Sequence, residues 1–589
     1  MCGIAAIFAY RDGAPTVDAA ELSRVSESMR SRGPDGEGAW IAGDGRIGLA
    51  HRRLAIIDLS DDGAQPMASA DGRVTITYNG EIYNFRALRA ELEAQGRVFC
   101  SQSDTEVLLH LYERDGEGMV ERLRGMFAFA LWDDRRRGLL LARDPFGIKP
   151  LYVADDGGTV RVASQVKALR AGGQIGSAPD PAGHAGFFLF GSVPEPHTLY
   201  AGVRALVAGS TQWFDADGPG PVKSYFDPTA LLSGTDARGA TTPDLRAALA
   251  DSVADHLVAD VPVGVFLSAG LDSATIVELA SEIRGGDLDT MTLAFEEFAG
   301  THRDEAPLAT QLAEDCGTRH VTRSVRGSEF RGEMEPLLAA MDQPTIDGVN
   351  TYFVAREASA LGLKVALSGL GGDEMFGGYE TFRQVPTLVR ALGWVPGLRA
   401  VGAGLRAVAA PLVGSLAPPK SAGVLELGTR YGDAYLLRRG LFMSWELPGV
   451  LGAEMARAGW QALDPLVRLE ACHAPVTGGA RKVAALEASW YLKNQLLRDA
   501  DWAGMAHSLE IRVPFVDPVL FRTLAPTMGR PGAPDKWAMA STPSRPLPEA
   551  ILGRDKTGFD VPIRDWLGGG GNGERGLRGW ARRVYGAFV

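Results

Sequence analysis

The sequence predicts an α/β and α+β chain in two parts, a layered sheet domain followed by a parallel-sheet domain. Three observations carry this. Short β-rich runs punctuated by Gly, Asp and Asn dominate the first 165 or so residues. From about 243, apolar strand, glycine turn and helix alternate, as they do around a parallel sheet. Between them, residues 171–240 lose clear periodicity and become rich in Gly and Pro.

The runs of the first part are GIAAIFAY, RIGLAHRRLAIIDL, RVTITYNGEIYN, MFAFALWD, RGLLLARD and TVRVASQ. Two stretches interrupt them with helical spacing, AAELSRVSESMRSR and FRALRAELEAQG, where Leu88 and Leu92 fall four apart. AGSTQWFDADGPGPVKSYFDP reads as a final hairpin and a linker. In the second part, the helix PDLRAALADSVADHLVAD leads to the strand and turn PVGVFLSAG. The strand TMTLAFEE follows, and then REASALGLKVALSGLGGDE before a long helical tail. Ligands of such sheets bind beyond the carboxyl ends of the strands. The Ala-, Gly- and Val-rich segment 391–417 reads as buried helices rather than a membrane segment.

Composition sets the outer bounds. The chain has 589 residues, 46% hydrophobic and 22% charged, enough apolar material for sizeable cores and too much for a disordered chain. Glycine, at 73 residues, is nearly double its ordinary share of about 7%. Four Cys exclude a disulfide scaffold, and Cys100 and Cys316 lack ligand-spaced partners. A net charge of −12 argues against a general nucleic-acid binder. MCGIAAIFAYRDG has no basic leader, and Pro411 breaks the longest central uncharged stretch. The expectation is a soluble, cytoplasmic protein with neither membrane nor nucleic acid as partner.

Cys2 is the first chemical candidate. Its small side chain permits removal of Met1, leaving an α-amine with an ordinary pKa of about 8 as a base for its own thiol. Arg52 has a plain reading as a surface ion-pair residue, and Asn79-Gly80 as a hairpin turn, for which Asn-Gly is favoured. Six motifs in order point further: MCGI from Met1, RGPDG from Arg32, HRRLAIIDL from His51, YNGEIYN from Tyr78, SDTE from Ser103 and RDPFGIKPLY from Arg143. With these, residues 2–165 resemble the type 2 glutamine amidotransferase domain, whose mature chain begins with a catalytic Cys. The resemblance implies an α-β-β-α domain over 2–215 in which Cys2 attacks the glutamine amide. It implies that Asn79 and Gly80 form the oxyanion hole, and that Arg52, Glu81 and Asp104 hold the glutamine carboxylate and amine. The chemistry is coherent, since Arg forks to carboxylates and fixed N–H donors stabilise a tetrahedral oxyanion.

The second candidate is VFLSAGLDSA, residues 265–274, a glycine-bearing turn between strand and helix whose N–H groups could cradle phosphate. Asp272 there suits Mg²⁺, a hard cation. VALSGLGGDEMFGGY, from Val365 to Tyr379, repeats the pattern and supplies Asp373. Both segments resemble the synthetase domain of asparagine synthetase and its pyrophosphate-loop ATPase relatives. So do DEAPLA near Asp304 and Glu305, DQPTIDGVNTYFVAREA from Asp342, MAHSLEIRVPFVD from Met505 and RDKTGFDVPIRDWL from Arg554.

This resemblance implies an adenine-nucleotide α-hydrolase-like domain over 241–589, after a linker at 216–240. By it, Ser268, Gly270, Asp272 and Ser273 contact pyrophosphate, and Ser368 and Gly369 lie near an acyl-adenylate. Asp272 and Asp373 hold Mg²⁺, and Lys556 neutralises phosphate charge. Glu510 and Arg512 either line the site or form an internal ion pair. The implied activity is amidation of a carboxylate using glutamine and ATP, with L-aspartate giving L-asparagine, glutamate, AMP and pyrophosphate. A homodimer and an ammonia tunnel lined by small apolar residues are implied as well.

Two departures stand out. The loop reads SAGLDSA, with Ala269 and Ala274 in place of Gly and Ser; a methyl is tolerated unless the position needs positive φ. The second turn reads SGLGGDE, with Leu370 where the family often carries Glu. Leu cannot transfer a proton or pair with an ammonium. Either Glu374 or Glu305 substitutes, or the acceptor is another small-molecule, sugar or peptide carboxylate. A non-catalytic regulatory homologue is the remaining alternative.

Overall fold

The computed structural model describes residues 2–234, 244–285, 287–413, 419–530, 532–554, 562, 566 and 576–589. Two antiparallel sheets form its amino-terminal part. The first runs in the order Val203–Ala205, Tyr152–Asp155, Thr159–Ala163, Gly3–Ala9, Ile47–Arg53, Gly36–Ile41. The second runs Gly218–Pro219, Ser210–Asp215, Gly138–Arg143, Gly125–Asp133, Val74–Ile82, Met67–Ala68. Ile4, Ala6 and Phe8 of one sheet meet Ala128, Ala130 and Trp132 of the other in a single buried cluster. These are the alternate positions that a period of two puts on one face.

The opposite faces carry helices. Ala5 and Ile7 pack on Leu22 and Val25 of the helix Ala19–Glu27 and on Leu169 of Val166–Ala171. Leu88 and Leu92 of Phe85–Ala94 join Val107, Leu108 and Leu111 of Asp104–Asp115 over Ile76, Tyr78, Phe127 and Phe129. The layers are therefore helix, sheet, sheet, helix. With both faces covered, Gly3–Ala9 and Gly125–Asp133 are buried throughout, which is why they read as continuous apolar runs.

Asn79 and Gly80 are not a hairpin turn. They lie inside the strand Val74–Ile82, paired with Ala128 and Phe127. A Cβ on Gly80 would stand 2.1 Å from the Met126 carbonyl oxygen, so the close approach of the two strands excludes any side chain there. Gly80→Ala is expected to cost about 1–3 kcal/mol of stability as overpacking. Urea titration checks this, and an unchanged midpoint contradicts it. The stretch read as a linker also begins inside this sheet, because Lys223 and Ser224 pair with Thr211 and Ser210.

The segment 391–417 corrects a second expectation. Trp394 and Val408 are 75% and 73% exposed, and Val401 and Leu405 are also exposed. The helix Leu398–Val413 docks through small residues instead: a Cβ on Gly402 would meet the Glu426 amide nitrogen at 2.5 Å. Arg399 pairs with Asp433 at 3.2 Å and Arg406 with Glu426. Small residues face inward here, so apolar content did not report burial.

The second part is built on a five-stranded parallel sheet in the order Arg319–Val325, Asp289–Phe295, Val263–Phe266, Val365–Leu367, Glu510–Arg512. The strand first in sequence, Val263–Phe266, sits at the centre. The chain winds outward from it on one side, then returns to lay Val365–Leu367 on the other. The crevice between these two strands is the topological switch point, where such sheets bind ligands. Both glycine-bearing turns leave from it. Among the described residues no helix is long and apolar enough to cross a membrane.

Candidate active sites

Cys2 precedes the strand Gly3–Ala9 and is buried, and burial pushes its thiol pKa up. Its backbone nitrogen donates to Asn79 Oδ1 at 2.8 Å. Asn79 Nδ2 is also buried, with no acceptor among the described residues. Buried donors are rarely left so. A buried amide N–H held by its own carbonyl against Cys2 and lacking an acceptor has the chemistry to donate to an oxyanion.

Glu81 lies two residues along the same strand and so shares the Asn79 face. Burial and the neighbouring Glu510 charge push its pKa well up. Arg512 Nη2 lies 3.4 Å from it, and Arg512 Nε donates to Glu510 at 2.7 Å, with neither Glu510 nor Arg512 exposed. Glu510 and Arg512 are thus the internal ion pair, and the pair reaches the amino-terminal site. Asp104 opens the helix Asp104–Asp115, capped by Ser103. It accepts from the Tyr78 hydroxyl at 2.8 Å and the Ile82 amide at 3.0 Å. Burial still pushes its pKa up to about 6. Arg52 pairs across the sheet with Gly3; it lies 2.5 Å from Glu37, also contacts Glu27, and donates to Ser26 Oγ at 3.1 Å. Both acids are more than half exposed, so the fork faces a wet rim.

Sequence reasoning missed the strut beneath this site. Arg32 Nε donates to the Cys2 carbonyl at 3.0 Å, and its two terminal nitrogens fork onto Asp501 at 2.7 and 2.9 Å. The guanidinium has no exposure. A residue of the second part is thereby tied to the backbone of Cys2.

In the second site the serines of the first turn hold each other. Ser268 and Ser273 hydroxyls lie 2.8 Å apart, the Ser268 amide donates to Ser273 Oγ at 3.1 Å, and the Gly270 amide donates to Ser268 Oγ at 3.2 Å. Ala269 is buried and is not among the residues with positive φ, so its methyl is accommodated. The second turn presses against the first. A Cβ on Gly369 would lie 3.0 Å from Asp272 Cβ, and one on Gly372 2.5 Å from Asp272 Oδ1. The two turns therefore converge on Asp272 and Asp373.

Lys536 stands between these two carboxylates. Its ammonium contacts Asp272 and lies 2.9 Å from Asp373. Burial alone would lower its pKa, but the two acids raise it. A lone Lys one residue after the helix cap Asp535 gives no sequence signal. Two carboxylates that already share one cation fit Mg²⁺, which needs one or two protein carboxylates plus phosphate oxygens. Lys556 lies outside the described residues. Glu305 pairs with Arg554 at 3.7 Å.

Glu374 is buried and accepts from the Tyr379 hydroxyl at 3.0 Å; burial, then Asp373 and Glu487, push its pKa up to about 8. The fold thus prefers the neutral acid, a preference fully present below the ordinary value of 4.5 and lost as pH rises through about 8. Wild-type stability relative to Glu374→Gln is expected to fall across that window. Thermal midpoints of both proteins against pH check this, and parallel curves contradict it.

Residues 1–226 match the family described as the glutamine amidotransferase domain, and residues 244–583 match asparagine synthase. A Mycobacterium tuberculosis protein provisionally named a glutamine-hydrolysing asparagine synthetase is 36% identical, over 97% of this chain and 89% of its own. The chain belongs to the glutamine-dependent asparagine synthetase family. Asparagine synthetase 1 of Bacillus subtilis is 33% identical over 99% of this chain and 90% of its own. The family's reach is wider than that name, since Amidase chry2 of Gibberella zeae is 29% identical over 65% of this chain and 60% of its own. Against the family's pattern, Leu370 is partly buried and packs against both large apolar cores of the molecule.

Proposed function

We propose that the protein amidates a carboxylic acid, taking nitrogen from glutamine and driving force from ATP. The observation that carries this reading is the convergence of both glycine turns on the Asp272–Lys536–Asp373 cluster at the switch point, in a chain whose other part holds Asn79 on the Cys2 nitrogen with its Nδ2 lacking an acceptor among the described residues. Removal of Met1 turns the Cys2 nitrogen, already fixed by Asn79, into the α-amine that takes the thiol proton. Cys2 Sγ attacks the glutamine amide carbon, Asn79 and Gly80 receive the oxyanion, ammonia leaves, and water cleaves the thioester. Arg52 binds the glutamine carboxylate; Glu81 and Asp104 bind its amine.

In the second site an acceptor carboxylate oxygen attacks the α-phosphorus of ATP and pyrophosphate leaves. Ser268, Gly270 and Ser273 turn their donors from one another to the pyrophosphate, and Ser368 and Gly369 flank the acyl-adenylate. Asp272 and Asp373 would hold Mg²⁺, which when bound supplies positive charge against the departing pyrophosphate; Lys536 and Lys556 add to it. Ammonia attacks the acyl carbon, AMP leaves with one carboxylate oxygen, and the nitrogen loses a proton. The domains are proposed as 2–215 and 241–589, and the protein as cytoplasmic and homodimeric.

Aspartate is the acceptor suggested by the names of the relatives. A second reading, an acceptor with an apolar body, is favoured by Leu370, which places hydrocarbon where the family often has an acid. Pyrophosphate release with ATP, Mg²⁺ and ammonia, run over a panel of carboxylates with mass identification of the product, tests the function. Acid-dependent release with a matching amide is expected; release that no acid stimulates contradicts it.

A further inference from the structure

A cavity of about 310 Å³ opens beside the second site, walled by Phe190, Ile346, Trp490, Tyr491 and Leu577. The side chains of Tyr491, Tyr379 and Glu374 link it in turn to Asp373. The Tyr491 ring lies 5.7 Å from the Tyr379 ring, and the Tyr379 hydroxyl donates at 3.0 Å to Glu374, which follows Asp373. The Arg439 guanidinium lies over both rings, at 3.8 Å from Tyr491 and 4.3 Å from Tyr379.

The wall is built to hold its shape. Residues Glu487–Leu497 form a π-helix, whose i→i+5 bonding widens the turn and is found most often at functional sites. The wider turn brings Trp490, Tyr491, Asn494 and Gln495 to one cavity. Buried Glu487 anchors its start through Arg439 at 2.9 Å and the Tyr435 hydroxyl at 3.1 Å. The polar lining already serves the protein: Asn494 Oδ1 accepts from the Glu195 amide at 3.0 Å, and Gln495 donates to Asp347 at 3.3 Å.

These features select a ligand. An apolar cavity of about 150 Å³ takes up benzene, so 310 Å³ admits a ring with its linker. Aspartate would leave most of the aromatic wall uncovered. Its second carboxylate would lose water against Phe190 and Trp490 and face the like charge of Asp347, while Arg439, a cation of the same lining, is already held by Glu487.

We propose that this cavity holds the body of the acceptor, and that the acceptor is a monocarboxylic acid bearing an aromatic or bulky apolar group in place of aspartate. The inference rests on the two-site amidation reading. Its test is pyrophosphate release by the full-length protein with ATP, Mg²⁺ and ammonia, comparing aspartate with 3-phenylpropionate, indole-3-acetate and N-acetylphenylalanine. The best aryl acid is expected to exceed aspartate at least about tenfold in kcat/KM. Ile346→Trp, which fills the cavity, is expected to raise the KM for that acid about tenfold or more. Thermal midpoints report folding, and Ile346→Phe replaces it if the larger change unfolds the chain. Aspartate as the better acceptor, or aryl turnover indifferent to a filled cavity, overturns this inference and leaves the amidation reading standing. No pyrophosphate with any acid overturns both.

Discussion

Cys2→Ala is expected to reduce glutamine hydrolysis and glutamine-driven amide formation by at least about 10³-fold while ammonia-driven amide formation stays within about twofold. The first loss follows because the thiol beside Asn79 is the proposed nucleophile, and removing a covalent nucleophile forfeits most of the rate. The second rate persists because the bonds that tie Cys2 to Asn79 and Arg32 run through its backbone. Alanine keeps them, so the strut from Arg32 to Asp501 is undisturbed. Parallel assays with glutamine and ammonium chloride separate the two rates. Equal loss of both in a folded variant contradicts the two-site assignment.

Lys536→Met is expected to have the reverse effect. Pyrophosphate release falls by about 10²–10³-fold with either nitrogen source, and glutamine hydrolysis continues. The substitution removes a cation shared by Asp272 and Asp373 and so the positive charge it lends against the triphosphate. Lys536→Arg keeps the charge and is expected to recover part of the rate. Release by Lys536→Met within about threefold of wild type would show that the cluster is structural only. Thermal midpoints are needed beside the rates, since removing the cation from two partly buried acids also costs stability.

The strands were legible where the chain declared both period and punctuation. Gly125–Asp133 falls on its run because two covered faces demand nearly unbroken apolar residues, and Val74–Ile82 on its own because its residues alternate with a period of two. The helix Pro181–Phe190 was not, since its residues from Ala182 to Leu189 are all buried and an element enclosed all round shows no stripe. The plain turn reading of Asn79-Gly80 does not hold, because glycine serves equally where two strands come too close for a Cβ. Cys2 and the two glycine turns were legible from local motifs. Lys536, and the bond from Arg32 to Asp501 across 469 residues, carry no local pattern and depend on how the two parts meet.

The central claim is that the acceptor is activated by adenylylation between the two glycine turns. It is tested most directly by supplying the best acceptor with ¹⁸O in its carboxylate and analysing the nucleotide after one turnover. Attack of that oxygen on the α-phosphorus, followed by displacement by ammonia, predicts one ¹⁸O in AMP and none in pyrophosphate. Label in pyrophosphate or orthophosphate, or unlabelled AMP accompanying labelled amide formation, would contradict the account.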